Sequence, residues 1–251
     1  MIIITTQCFS PKIGGIEALM TGMAESLGTA GKEVLVLADG KENLDLNTQT
    51  QYSIKRFHGW KPIRRIRKAK YLEKICKKKK VEAIYADSWK SIEYVNKKNK
   101  KILVLAHGTE IPKQYWSIML DILRFKKNRI LRSYKNVYKI IANSNYTRDL
   151  MHVSLKIDLN RIEIIHPGVD VYKDFISEEE KRYVKALTYK KGPIITTLAR
   201  VEKRKGHEYV IFAIKELINK FPDIIYLIAG KGPYLETIKN LVKKLKLENN
   251  I

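Results

Sequence analysis

The chain has 251 residues, 45% hydrophobic and 30% charged, enough to bury a core, which excludes a disordered or collagen-like polymer. Its formal net charge is +23, and residues 51–150 hold 27 Lys and Arg against 7 Asp and Glu. Such a field favours anionic partners: membrane lipid, nucleic acid or phosphorylated metabolites.

Cys8 and Cys76 form neither a metal-ligand cluster nor a disulfide framework, which fits a reducing compartment. Met1 to Thr6 lacks the basic start of a signal peptide, and no stretch approaches the ~18–20 apolar residues of a membrane span. The protein is therefore expected to be soluble or to lie on a membrane.

In chain order, Ile2–Thr6 reads as a buried strand, followed by a loop through Pro11 to Gly15. Ile16–Ala30 reads as a helix, with Ile16, Leu19, Met20, Met23, Ala24 and Leu27 at helical spacing and Gly31 at its end. Strands follow at Glu33–Ala38 and Ser53–Phe57, and Pro62 opens a strongly basic helix to about Lys79. Val81–Ala86 and Lys101–Ala106 are strands separated by a short helix. Residues 113–137 read as a helix, Tyr138–Asn143 as a strand, Tyr146–Ser154 as a helix and Ile162–His166 as a strand. This alternation predicts an α/β fold with a parallel sheet covered by helices, in a domain spanning residues 1–170.

Residues 171–191, with the acidic run Glu178–Glu180, read as a linker. A second series then begins: strand Pro193–Leu198, helix Gly206–Lys220, strand Ile224–Ala229 and helix Tyr234–Leu247. Residues 192–251 are about half of what a domain of ~100–150 residues needs, so a partial second domain is expected there.

In open parallel sheets, ligands bind beyond the carboxyl ends of the strands, so the loops after strands matter most. Gly14 and Gly15, with Glu17 in the following turn, let the backbone approach a ligand and offer helix N–H groups to a phosphate. The same pair also suits an ordinary strand-to-helix turn. His107, before Gly108 and near Glu110, is placed to donate to sugar hydroxyls or a phosphate oxygen. In the second series, Arg200 and Lys205 flank a helix start at Gly206: a bidentate fork, a point charge and helix amides, which is what a diphosphate requires. Gly230 and Gly232 form another glycine-rich loop.

Taken in order, these segments resemble the retaining glycosyltransferases of the family 4 type, which have the two-domain GT-B fold. The matches are Gly14, Gly15 and Glu17; His107 and Gly108; Ser144 and Thr147 at a helix start; Ile165 to Asp170; Arg200 to Gly206; and Gly230 to Pro233. The resemblance implies a complete acceptor-side Rossmann-like domain followed by about half of a donor-binding one. It also implies transfer of a sugar from a nucleotide-sugar donor with retention of configuration. The donor is a substrate, and neither a cofactor nor an essential metal is expected. Arg200, Lys205, Gly14 and Gly15 would hold the donor diphosphate, and His107 would contact the transferred sugar. Ala199 stands where the family has glycine, and the family's later Glu-x(7)-Glu segment has no counterpart before Ile251.

The basic helix is amphipathic, with Ile63, Ile66, Ala69, Leu72, Ile75 and Cys76 on one face and cations on the others. Trp60, Arg64, Arg65, Arg67 and Lys68 are the residues expected to meet an anionic membrane surface. The expected acceptor is a lipid-linked or cell-envelope glycan, and the expected location is cytoplasmic, on the inner face of the membrane. A second reading keeps a catalytically incomplete fragment that binds membrane or acceptor only. A nucleic-acid-binding protein is the less favoured alternative, because it leaves the glycine and Arg/Lys loops without a role.

Overall fold

The computed structural model describes residues 1–41, 50–109, 111, 120–168, 176–188 and 192–251. The chain divides into two units, Met1–Asp170 and Val171–Ile251.

In the first unit the strands are β1 (Ile2–Thr6), β2 (Val34–Asp39), β3 (Ser53–Phe57), β4 (Ala83–Ala86), β5 (Ile102–Ala106), β6 (Lys139–Ala142) and β7 (Ile162–Ile164). They form one sheet in the order β3-β2-β1-β4-β5-β6-β7, every neighbouring pair parallel. The direction of strand order reverses between β1 and β4, which opens a crevice beyond their carboxyl ends.

The helices are α1 (Gly15–Thr29), α2 (Lys61–Lys78), α3 (Leu120–Tyr134) and α4 (Asn145–Leu155). Side chains of successive strand residues point to opposite faces, and both faces here are buried. Ile3, Leu37, Ile84, Val104 and Ile140 pack with Leu72 of α2, Ile130 of α3 and Met151 of α4. Ile4, Val36 and Ala38 pack with Met20 and Ala24 of α1 on the other face. The short helix expected after β4 is a single 3-10 turn, Trp89–Ser91.

α2 departs from expectation in a specific way. Its inward stripe runs through Arg64, Lys68 and Leu72, with Arg65 and Ala69 beside it, while Ile63 and Ile66 are exposed. Because α2 runs antiparallel to the strands it covers, its first half lies at their carboxyl edge. There the facing groups are strand carbonyls and carboxylates, and cations fit where isoleucines do not.

In the second unit, α5 (Glu178–Thr188) lies within the stretch read as a linker. It is followed by β8 (Ile194–Leu198), α6 (His207–Leu217), β9 (Ile225–Ala229) and α7 (Leu235–Leu245). β8 and β9 pair in parallel, and Val201, Ile211, Ile214, Tyr226, Ile238 and Val242 form the core beneath them.

Candidate active site

At the β1–β4 crevice the organising residue is Asp87, immediately after β4 and almost fully buried. Its Oδ2 accepts from the Thr6 hydroxyl at 2.9 Å and from the Gln7 amide at 2.7 Å. Its Oδ1 accepts from the hydroxyls of Ser91 at 2.6 Å and Ser88 at 3.2 Å. A carboxylate in this setting ties the ends of β1 and β4 together across the reversal point. Nothing in its local sequence distinguishes Asp87 from an ordinary loop acid, and only the adjacency of β1 and β4 reveals its role.

Asp87 also fixes the histidine. His107 Nε2 lies 3.0 Å from the Asp87 carbonyl oxygen. A carbonyl only accepts, so Nε2 carries the hydrogen, and a neutral ring then has an acceptor at Nδ1. The Nε2 hydrogen is thereby engaged within the protein. The buried side-chain nitrogen of Gln7, Nε2, has no hydrogen-bond partner among the described residues. That leaves a donor at the crevice which the sequence did not single out.

Gly14 precedes α1 with no side-chain cap, and the Glu17 carboxylate folds back over it so closely that a Cβ at Gly14 would collide with it. Gly15 has open space around its Cα. The Cys8 thiol faces this corner and is pushed up to about 12 by burial, then by the charges of Asp87 and Glu17. Burial also raises the Cys76 thiol. The thiolate is the nucleophile, so alkylation by iodoacetamide at pH 8 should be far slower at both cysteines than at a free cysteine. Stoichiometric labelling of Cys8 within minutes, followed by mass spectrometry, would contradict this environment.

Ser144 and Thr147 serve α4. The Ser144 hydroxyl accepts from the Thr147 amide at 3.2 Å, the expected N-cap bond, and the buried Thr147 hydroxyl donates to Asn143 Oδ1 at 2.6 Å. Gly108, at φ 83°, passes with its Cα directly against the Thr147 hydroxyl. These residues shape the His107 loop. Glu110 lies outside the described residues.

Three of the cations assigned to a membrane face are turned inward. Lys68 is 1% exposed, and its Nζ donates to Asp39 Oδ1 at 2.9 Å and to the Thr6 carbonyl at 2.7 Å. Burial lowers its basicity, and the charges of Asp39 and Asp87 oppose that. Arg64 Nη2 lies 2.9 Å from Asp39 Oδ2, close enough for an ion pair though not aligned as a hydrogen bond. Arg65 pairs at 3.1 Å with Glu93, which also takes Arg129. Trp60 and Arg67 remain on the surface.

In the second unit, the loop after β8 carries Arg200, with its side chain 72% exposed and 3.1 Å from Glu202, and an exposed Lys205. A 3-10 turn, Lys203–Lys205, leads to Gly206 in the left-handed region at φ 73°, and α6 begins there without a side-chain cap. α6 therefore starts beside the loop's cations with no side chain capping its first amides, as an anion site needs. The loop is anchored from below by His207, 1% exposed, whose Nε2 lies 3.4 Å from the Arg200 carbonyl. Its Nδ1 lies 3.3 Å from the Tyr226 hydroxyl, which is bonded to Thr197. Nothing in the local sequence singles out His207.

Gly230 and Gly232 back this loop. A Cβ at Gly230 would meet the Ala199 carbonyl and one at Gly232 the Val201 carbonyl, while the Val201 amide donates to the Lys231 carbonyl at 3.1 Å. Their glycine character is explained by backbone lying against backbone.

Residues 13–173 match the model of Glycosyltransferase Family 4, and residues 178–251 match that of Glycosyl transferases group 1. The chain belongs to glycosyltransferase family 4. It is 30% identical over 154 residues to a GDP-mannose-dependent alpha-(1-6)-phosphatidylinositol monomannoside mannosyltransferase of Mycolicibacterium smegmatis, covering 61% of this chain and 38% of that protein. The chain thus spans well under half of that relative.

Among solved structures, Anabaena HepE in complex with UDP superposes with a TM-score of 0.75 at 15% identity, covering 99% of this chain and 67% of that one. WaaG, a glycosyltransferase involved in lipopolysaccharide biosynthesis, superposes at 0.68 with 12% identity, covering 100% and 68%. These likenesses show the GT-B fold, of which this family 4 chain has the seven-stranded parallel sheet and a second, small parallel sheet.

Proposed function

We propose that this family 4 chain serves transfer of a sugar from a nucleotide-sugar donor to a lipid-linked or cell-envelope glycan acceptor, with retention of configuration. The observation that carries the reading is the Arg200–Gly206 loop, where four exposed cations, Arg200 and Lys205 among them, precede a helix whose N–H groups no side chain caps. As the bond between sugar and diphosphate breaks, negative charge grows on the leaving group, and fixed cations and helix dipoles stabilise that charge most where it develops. His107, held by Asp87, orients the sugar. The acceptor hydroxyl attacks from the face the diphosphate leaves, so no protein nucleophile takes part. Calorimetric titration with UDP- and GDP-sugars tests the donor half of the reading, and absence of binding by all of them would refute it.

The acceptor half rests on α2, with its membrane face redrawn. Trp60, Ile63 and Ile66 are 72%, 53% and 36% exposed, with Arg67 and Lys70 exposed beside them. An aromatic and two isoleucines among cations suit the boundary between headgroups and acyl chains on the cytoplasmic side. No helix among the described residues is long and apolar enough to cross a membrane. Changing Trp60→Ser together with Ile63→Ser should abolish flotation with anionic vesicles while leaving thermal stability unchanged. Full retention of flotation would remove α2 from the membrane contact. The mannosyltransferase relative, by name, acts on a phosphatidylinositol monomannoside, which favours a lipid-linked acceptor.

A further inference from the structure

The sheet of the first unit has a ligand-sized cavity at the opposite edge from His107. It occupies about 860 Å³ where the chain enters β5 and β6, between the loop of residues 95–101 and the turn of residues 135–138. Lys97, Lys98, Lys100, Lys101, Arg132 and Lys135 all line it, and no carboxylate is among its lining residues.

Six cations from two separate stretches converge on one concavity, an arrangement that mutual repulsion opposes unless an anion is shared between them. Part of this charge has a local explanation. Lys100 pairs with Glu73 at 2.9 Å, and Arg132 and Lys135 stand at the carboxyl end of α3, where the helix dipole favours positive charge. Lys98, Lys101, Arg132 and Lys135 have no carboxylate partner among the described residues. Lys101 instead sits 4.9 Å from the centre of the Tyr138 ring.

The walls are built rather than loose. Glu73 accepts from the Asn96 amide at 3.0 Å and so ties the first loop to α2, and the Lys97 ammonium donates to the Val95 carbonyl at 3.2 Å. Asn99 and Asn136 turn the two segments in the left-handed conformation, at φ 57° and 60°. A volume of 860 Å³ falls in the range of small-molecule sites and far exceeds a lone phosphate. The cavity lies a full strand length, roughly 15 Å at ~3.3 Å per residue, from the edge where a donor sugar would sit.

We infer that this basic cavity binds a multiply phosphorylated anion at a site separate from the donor-diphosphate loop. The anion has two possible sources with the same chemistry: a soluble polyphosphorylated metabolite, or the headgroup of a phosphorylated lipid. The inference does not depend on the transfer reaction.

The probe is tripolyphosphate, titrated calorimetrically into the whole chain. Lys98→Glu with Lys135→Glu should weaken binding by roughly tenfold or more, the loss of at least one charge-assisted contact. In the Arg200→Ala, Lys205→Ala background, which takes the donor loop out of the titration, the Lys98/Lys135 change should weaken the remaining binding by the same factor. Lys243→Glu with Lys244→Glu makes the same change in net charge on the second unit and should alter affinity less than about twofold. Equal losses in the two charge-reversed variants, or no further loss when Lys98→Glu with Lys135→Glu is added to the Arg200/Lys205 variant, would overturn the site. Circular dichroism checks that the exposed substitutions leave the fold intact. Flotation with phosphatidylcholine vesicles carrying phosphatidylinositol bisphosphate separates the sources. Loss of flotation in the Lys98/Lys135 variant assigns the site to a lipid headgroup, whereas unchanged flotation with lost tripolyphosphate binding assigns it to a soluble anion.

Discussion

Removing the two cations of the β8–α6 loop assigned to the diphosphate, Arg200→Ala with Lys205→Ala, is expected to weaken nucleotide-sugar binding by roughly 10²–10⁴. Two charge-assisted hydrogen bonds at ~1.5–3 kcal/mol each give about 3–6 kcal/mol, at ~1.4 kcal/mol per tenfold. Stability should change by no more than about 0.5 kcal/mol, because both side chains are exposed and Arg200 has only a surface pair with Glu202 to lose. That combination distinguishes a ligand site from a solvated basic loop, whose cations could be removed with neither effect. Arg200→Lys keeps the charge but loses the planar fork, and an intermediate affinity is expected for it. Calorimetric titration of the three proteins decides the matter. Affinity of the double variant within about threefold of the parent chain would end the diphosphate assignment.

The second large effect concerns Lys68, which the charge pattern had assigned to a membrane surface. Lys68→Met should cost about 3–5 kcal/mol, because removing one member of a buried ionic cluster leaves Asp39 without its closest hydrogen-bonded partner. For a chain of this size that corresponds to a fall of roughly 6–20 °C in the unfolding temperature, at ~2–4 °C per kcal/mol. Vesicle binding by the folded protein should be unaffected below that temperature. A scanning calorimetry trace within about 2 °C of the parent, with reduced flotation, would instead return Lys68 to the surface. The contrast with Trp60→Ser and Ile63→Ser is sharp. Those residues are expected to govern membrane contact and not stability, the reverse of Lys68.

Much of the candidate site was legible because the chemistry depends on local order. Gly14 before a helix, His107 after a strand, and Arg200 and Lys205 before Gly206 are recognised by spacing alone, since strand, loop and helix follow one another in sequence. What escaped were residues whose role comes from partners far along the chain. Asp87 matters because it meets Thr6 and Gln7, some eighty residues earlier. His207 matters because Arg200, Tyr226 and Thr197 converge on it. Gly230 and Gly232 were read only as a glycine-rich loop, and it is the loop after β8 packing against them that explains the two glycines.

By itself the sequence determined that this chain alternates strands and helices in a parallel sheet buried on both sides. It did so because apolar periodicity, glycine turns and loop cations are encoded within a dozen neighbouring residues. The tertiary structure alone decided which face of α2 points inward. Helical spacing places Arg64, Lys68 and Leu72 on one stripe, but whether that stripe meets solvent or protein depends on what the sheet presents to it. Here the carboxyl edge presents Asp39, Asp87 and the carbonyl of Thr6, so the lysine is buried and the isoleucines face out. The large positive charge of residues 51–150 is thus divided by the fold among a buried ionic cluster, an apolar-and-basic face on α2, and a cationic cavity at the opposite edge.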